Sequence, residues 1–266
     1  MFDVARFRRL AAAQWAERRR EWAWFLGVVV ALHLVTILIM VSGENGYRSL
    51  SLSGQAGLYW AGLMLTAPLF AARYFLPLSR RDAALTILMR PASNLEKFLL
   101  ALLVATVLYP LVYSAAFYIC DLPAALIAKA RAVEAWKHLS MAQRTNQPNW
   151  GPGHYGLLAP QWSLELVVNV FTVAMLWVVM GWTMFGTLYF RSSPMVKTFV
   201  AGFVLFLGLM LIFQWTGGSP DRLFAFWRPR VEMATWQRIL AGVAWIVMPA
   251  LSWYACYLAL REREAT

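Results

Sequence analysis

Residues 79–97 read SRRDAALTILMRPASNLEK and lie between two apolar segments. Ser79-Arg80-Arg81-Asp82 fits a capping box: a hydroxyl at the helix start and an acid three residues on. Ala84, Leu85, Leu88 and Met89 then recur at helical spacing. Pro91 disfavours helix at Arg90 and stops the run. Ser93-Asn94-Leu95-Glu96 is a second capping box, directly before the apolar run that begins at Phe98. The stretch therefore specifies a short amphipathic helix, a break and a fresh helix start. Two readings follow. Such a helix covers lipid headgroups, or it receives force from a soluble partner.

The surrounding chain decides the solvent. Of 266 residues, 61% are hydrophobic and only 14% are charged, whereas soluble domains carry about 25% charged residues. A chain of this composition cannot clothe itself in polar groups, so lipid is its expected environment. Fourteen tryptophans agree, because indole favours the membrane–water interface. The net charge of +11 does not gather on a polar domain. Its basic residues flank apolar segments, as in positive-inside topology, and nucleic acid is not an expected partner. Cys120 and Cys256 fall near opposite membrane faces, so neither an intrachain disulfide nor a metal cluster is expected. The first apolar segment follows a charged stretch and lacks a small-residue cleavage site, unlike a cleavable signal peptide.

Residues 1–21 carry Arg6, Arg8, Arg9, Arg18, Arg19 and Arg20, with Phe7, Ala11 and Trp15 on one helical face. This pattern predicts an amphipathic helix in the headgroup plane. Six segments are then long enough for a core of roughly 30 Å: 22–41, 58–75, 98–120, 164–190, 195–215 and 239–260. The expected fold is a single all-α integral membrane domain over 1–266. Pro68, Pro110 and Pro249 fall inside spans and are expected to kink them. With both termini in the cytoplasm, 15 of the 24 Lys and Arg lie inside, which sets the orientation.

The outer connection 121–162 is too long to be structureless in a compact protein. Its first half reads as helix continuing outward from the third span, and its second half is turn-rich. The inner connection Arg191-Ser192-Ser193-Pro194 is tight. The largest cytoplasmic loop is therefore the 79–97 stretch.

Catalytic patterns are missing from the sequence. It contains no G-x-x-x-x-G-K-[ST] phosphate loop and no H-E-x-x-H. No catalytic, cofactor-binding or metal-ligating set is expected. His33 lies near the middle of the first span, where an ionisable group marks a possible path and a neutral His bonded to a neighbouring helix is the plainer alternative. Glu165 and Asn169 lie one turn apart at the outer end of the fourth span. They line a polar vestibule or bind each other and water. No carboxylate or basic residue falls at mid-membrane, unlike ion-coupled carriers. Any transport would draw its energy from a separate subunit.

Met89-Arg90-Pro91-Ala92-Ser93-Asn94-Leu95-Glu96-Lys97 resembles the "LP-A/V-S-x-x-E-K/Y" loop of bacterial type-2 ABC exporter permeases, with Arg90 where that family commonly has Leu. Gly186-Thr187-Leu188-Tyr189-Phe190-Arg191 with Lys197-Thr198 is similar to a second signature of one subgroup, "G-x-x-F-[KR]…KT". The six-span layout and the N-terminal helix also resemble that family. The resemblance implies a permease subunit in the bacterial inner membrane, paired with a cytoplasmic ATPase that holds ATP and Mg. It also implies a second permease copy or a related permease. By the same resemblance, 79–89 is a coupling helix, and Ser79, Arg80, Arg81, Asp82, Leu85, Arg90, Glu96 and Lys97 are the coupling residues. The alternatives are a non-transporting membrane scaffold, sensor or immunity protein, and an enzyme acting on lipid. The last lacks any cluster of His, Asp or Glu near an interface.

Overall fold

A computed structural model describes residues 3–43, 46–79, 92–141, 152–156, 166–190, 192–215 and 235–265. Among these residues every regular element is helical and there is no strand. The α-helices are α1 (Val4–Ser42), α2 (Leu52–Phe75), α3 (Asn94–Leu103), α4 (Tyr109–Lys137), α5 (Leu166–Tyr189), α6 (Pro194–Trp215) and α7 (Thr235–Ala265). Short 3-10 turns occupy Gly46–Leu50, Leu76–Ser79 and Pro152–His154, and a π turn at Val104–Leu108 joins α3 to α4.

Four helical stretches among the described residues are long and apolar enough to cross a membrane: Val4–Ser42, Leu52–Leu78, Asn94–Lys137 and Thr172–Tyr189. Pro194–Gly208 is a shorter apolar helix. Their outward faces are apolar as well. On α1, Trp24, Val28, Leu32, Val35 and Ile39 are exposed, and on α6 Val196, Val200, Phe203 and Val204 are exposed. Such continuous apolar stripes are untenable in water and ordinary against acyl chains.

The expected elements differ from the structure in instructive ways. The basic N-terminal stretch and the first apolar segment form one unbroken 39-residue helix, since no Pro or Gly pair separates them. Helix α2 begins at Leu52, six residues before the expected span, because Gln55 finds buried partners there. Pro68 and Pro249 lie inside helices as expected. Pro110 sits instead at the start of α4, directly after the π turn. Proline has no N–H to donate and its ring crowds the preceding turn, and the wider π turn takes up the misfit. The helix expected to continue past residue 120 is present, and α4 runs to Lys137.

The chain forms two compact units. The first comprises Met1–Ala12, Ala67–Val107 and Trp162–Thr266. Its centre is α5, whose Leu176, Met180, Met184 and Leu188 are buried, as are Trp253, Cys256 and Leu260 of α7. Helix α5 packs against α7 and α6, and α3 packs against α7. Small residues set the close approaches. A Cβ on Gly181 would lie 2.5 Å from the Ser252 hydroxyl, and one on Gly186 would lie 2.7 Å from the Thr198 Cβ. Trp253 Nε1 donates to the Trp177 carbonyl at 3.1 Å, and Phe98 meets Tyr257 edge-on at 5.4 Å.

The second unit comprises Ala13–Thr66 and Leu108–Gln161. Here α1 and α4 run in the same direction. Phe25 meets Tyr109, His33 meets Phe117, and Arg131 donates to the Val41 carbonyl. Ile37, Leu50, Ala124, Ala128, Ala132 and Tyr155 form a buried cluster. The α4 alanines lie on one buried face, which permits close packing of helices. Buried Gln55 donates to the carbonyls of Leu50 (2.8 Å) and Gly156 (2.9 Å), tying two short turns to α2.

Candidate functional site

A densely bonded polar constellation lies where the 79–97 stretch enters α3. Ser93 is in extended conformation (φ −69°, ψ 155°) and caps α3. Its hydroxyl accepts from the Glu96 N–H at 3.3 Å, and its own N–H donates to Glu96 Oε2 at 3.0 Å. Both halves of the expected capping box are thus formed.

The Glu96 side chain does more than close this box. It is wholly buried, yet each oxygen has two donors. Arg6 Nε donates to Oε2 at 2.8 Å and Arg6 Nη2 to Oε1 at 2.7 Å, a bidentate fork. The Asp3 N–H donates to Oε1 at 2.9 Å. Asp3 in turn caps α1, its Oδ1 accepting from the Ala5 N–H at 2.8 Å. One carboxylate therefore sits at the N-termini of two helices, where helix dipoles favour negative charge. The beginning of α1 is held against the beginning of α3 through Glu96, with Arg6 as its counter-charge. Lys97 is buried beside it.

The other expected residues are distributed as follows. Ser79 ends the turn Leu76–Ser79, which packs against α5. Arg80, Arg81, Asp82, Leu85 and Arg90 lie outside the described residues, as do the first capping box beyond Ser79 and Glu165. Asn169 lies in α5. His33 faces the Phe117 ring with centroids 4.7 Å apart, and its Nε2 has no hydrogen-bond partner. The hydrogen bond to a neighbouring helix weighed for His33 is thus not made by this nitrogen. Gly186 and Thr198, from the two halves of the second motif, pack directly together where α5 meets α6. The turn between them takes Ser193 through a left-handed conformation, φ 48°.

Three functional candidates are not legible in the sequence. Arg6 and Asp3 read as part of a surface helix, although Glu96 has no cation three or four residues away and so needs a distant one. Asp121 reads as the start of an outer connection. It is wholly buried, and neither carboxylate oxygen has a hydrogen-bond partner. Tyr109, Tyr113, Phe117, Asp121 and Ala124 are buried along one face of α4 at spacings of three and four. That spacing was the available signal.

Among the described residues no three His, Cys, Asp or Glu gather as a metal-ligand set. No family model matches the chain, and no curated protein or solved structure matches it. Among the described residues the fold is all-helical, with four helices long and apolar enough to cross a membrane.

Proposed function

We propose that this protein is the transmembrane permease subunit of an ATP-driven exporter in a bacterial inner membrane. It has six spans, both termini in the cytoplasm, and a partner permease, either a second copy or a related chain. A separate cytoplasmic ATPase binds ATP and Mg and supplies the energy. Residues 79–89 are the coupling helix, and Arg80, Arg81 and Asp82 meet the ATPase.

The observation that carries this reading is the Glu96 clamp. A coupling segment is useful only if its ends are anchored to the parts it must move. The 80–91 connection is flanked by a turn packed on α5 and by the Ser93–Glu96 cap, which is bonded to the start of α1. Force applied between these anchors would reach α1, α3 and α5 together. Rigid-body shifts of packed helices are a usual means of alternating access. The resemblance of residues 89–97 to the permease loop supports the same assignment.

The test is ATP hydrolysis by the co-expressed ATPase in nanodiscs, with and without this subunit. Arg80→Glu combined with Arg81→Glu should lower subunit-stimulated hydrolysis about tenfold, the effect of losing about 1.4 kcal/mol of coupling, and leave the melting temperature unchanged. Undiminished stimulation, or no complex with an ATPase, would overturn the assignment.

A further inference from the structure

The second unit holds a carboxylate that the coupling reading does not use. Asp121 lies on the buried face of α4, where that face changes character. Tyr109, Tyr113 and Phe117 precede it, and Ala124, Ala125, Ala128 and Ala132 follow it. Three polar side chains of the same unit are bonded within the protein. The Tyr59 hydroxyl pairs with Ser114 Oγ at 2.8 Å, the Tyr113 hydroxyl donates to the Tyr59 carbonyl at 3.2 Å, and the Gln55 amide has two carbonyls. Asp121 has neither oxygen bonded, and His33 Nε2 is also without a partner. A buried polar group left in this condition is costly and calls for a ligand or another specific explanation.

One helical turn before Asp121, roughly 5.4 Å along α4, stands a cluster of rings. Phe117 contacts His33 at 4.7 Å, Tyr59 at 5.1 Å, Tyr118 at 6.0 Å and Tyr113 at 6.3 Å. Aromatic faces attract organic cations, and a desolvated carboxylate supplies the opposite charge. Two carboxylate oxygens without partners are suited to receive N–H donors, and the imidazole adds one acceptor in the tautomer that leaves Nε2 unprotonated. A divalent metal ion would lack ligands here, because no three-member donor set is present among the described residues.

We propose that Asp121, with the aromatic cluster around Phe117 and His33, binds a protonated organic amine: an ammonium N–H on the carboxylate and its hydrocarbon part against the rings. Asp121 is wholly buried, so binding is accompanied by displacement of the surrounding side chains. The turns Gly46–Leu50 and Pro152–His154 are both packed on α4. The site is independent of the permease reading, because its binding is measured on this chain with no ATPase present.

The experiment uses the purified full-length protein in nanodiscs with 2-phenylethylammonium, with 2-phenylethanol as the neutral counterpart and sodium chloride as the salt control. The wild type should show saturable binding of radiolabelled amine and a rise in melting temperature of roughly 3–5 °C near saturation. The alcohol and the salt should give no such rise. Asp121→Asn, which keeps the shape and removes the charge, should weaken amine binding at least tenfold. Three results would overturn the proposal: no saturable binding by the wild type, an equal response to sodium, or undiminished binding by a folded Asp121→Asn. Because the first two need only wild-type protein, misfolding of the variant would not rescue the idea.

Discussion

Glu96 and Asp121 are both carboxylates with 0% exposure, and they are treated in opposite ways. Glu96 accepts four hydrogen bonds, two of them from a guanidinium. Asp121 accepts none. Burial alone therefore says little about what an acid does in this molecule. A carboxylate whose lone pairs are filled by the fold's own donors is a fastener, and its negative charge is used in joining helix ends. A carboxylate left without donors adds no hydrogen bond to the resting fold, and its bonding capacity is unused there.

The same substitution at the two sites should expose this difference. Glu96→Ala removes the acceptor shared by Arg6, Asp3 and Ser93 and leaves the guanidinium without its counter-charge. Removing a buried carboxylate that accepts four hydrogen bonds, two of them from a part-exposed guanidinium, is among the more damaging single changes. A fall in melting temperature on the order of 10 °C is expected in nanodiscs. Hydrogen exchange should rise at the first turns of both α1 and α3. Protection of the α1 start that survives Glu96→Ala would show that the clamp does not hold it.

Gln55 provides the intermediate case, a buried but neutral side chain with its partners present. Gln55→Leu keeps the approximate volume and strips hydrogen bonds from the Leu50 and Gly156 carbonyls. The expected cost is about 2–4 kcal/mol, from one or two unsatisfied carbonyls. Exchange should increase around residues 46–50 and 152–156, while the Glu96 region stays protected. Loosening of both regions together would mean that their local stabilities are not separate.

The sequence carried the parts of this fold that depend on local chemistry. Ser93 and Glu96 lie three apart ahead of an apolar run, and that spacing suffices to write a capping box. The apolar lengths of α1, α2 and the α3–α4 stretch were equally plain. Partners far apart in the chain were not legible. The Arg6–Glu96 pair spans 90 residues, and nothing near either residue names the other. Asp121 was hidden for a different reason. An acid at the end of an apolar run reads as the edge of a span, and only the burial of the alanine face beyond it reveals that the position is interior. The packing of Gly186 against Thr198 shows how a short motif acquires physical content: its small residue is the one that lets α6 approach α5.

The smallest expected effect is at Asp121 itself, and its sign matters more than its size. Asp121→Ala extends the face already made by Ala124, Ala125, Ala128 and Ala132. It deletes a buried carboxyl group that makes no hydrogen bond, which relieves about 1–3 kcal/mol of unmet polar burial. Against this stands the packing lost with a few side-chain atoms, also on the order of 1 kcal/mol. The net should be neutral or stabilising, with a melting temperature between unchanged and roughly 4 °C higher. Glu96→Ala under the same conditions should fall steeply. If Asp121→Ala were to fall as far as Glu96→Ala, the Asp121 carboxyl would be part of the resting fold after all. The two buried acids would then be fasteners of one kind, and the contrast between them would be lost.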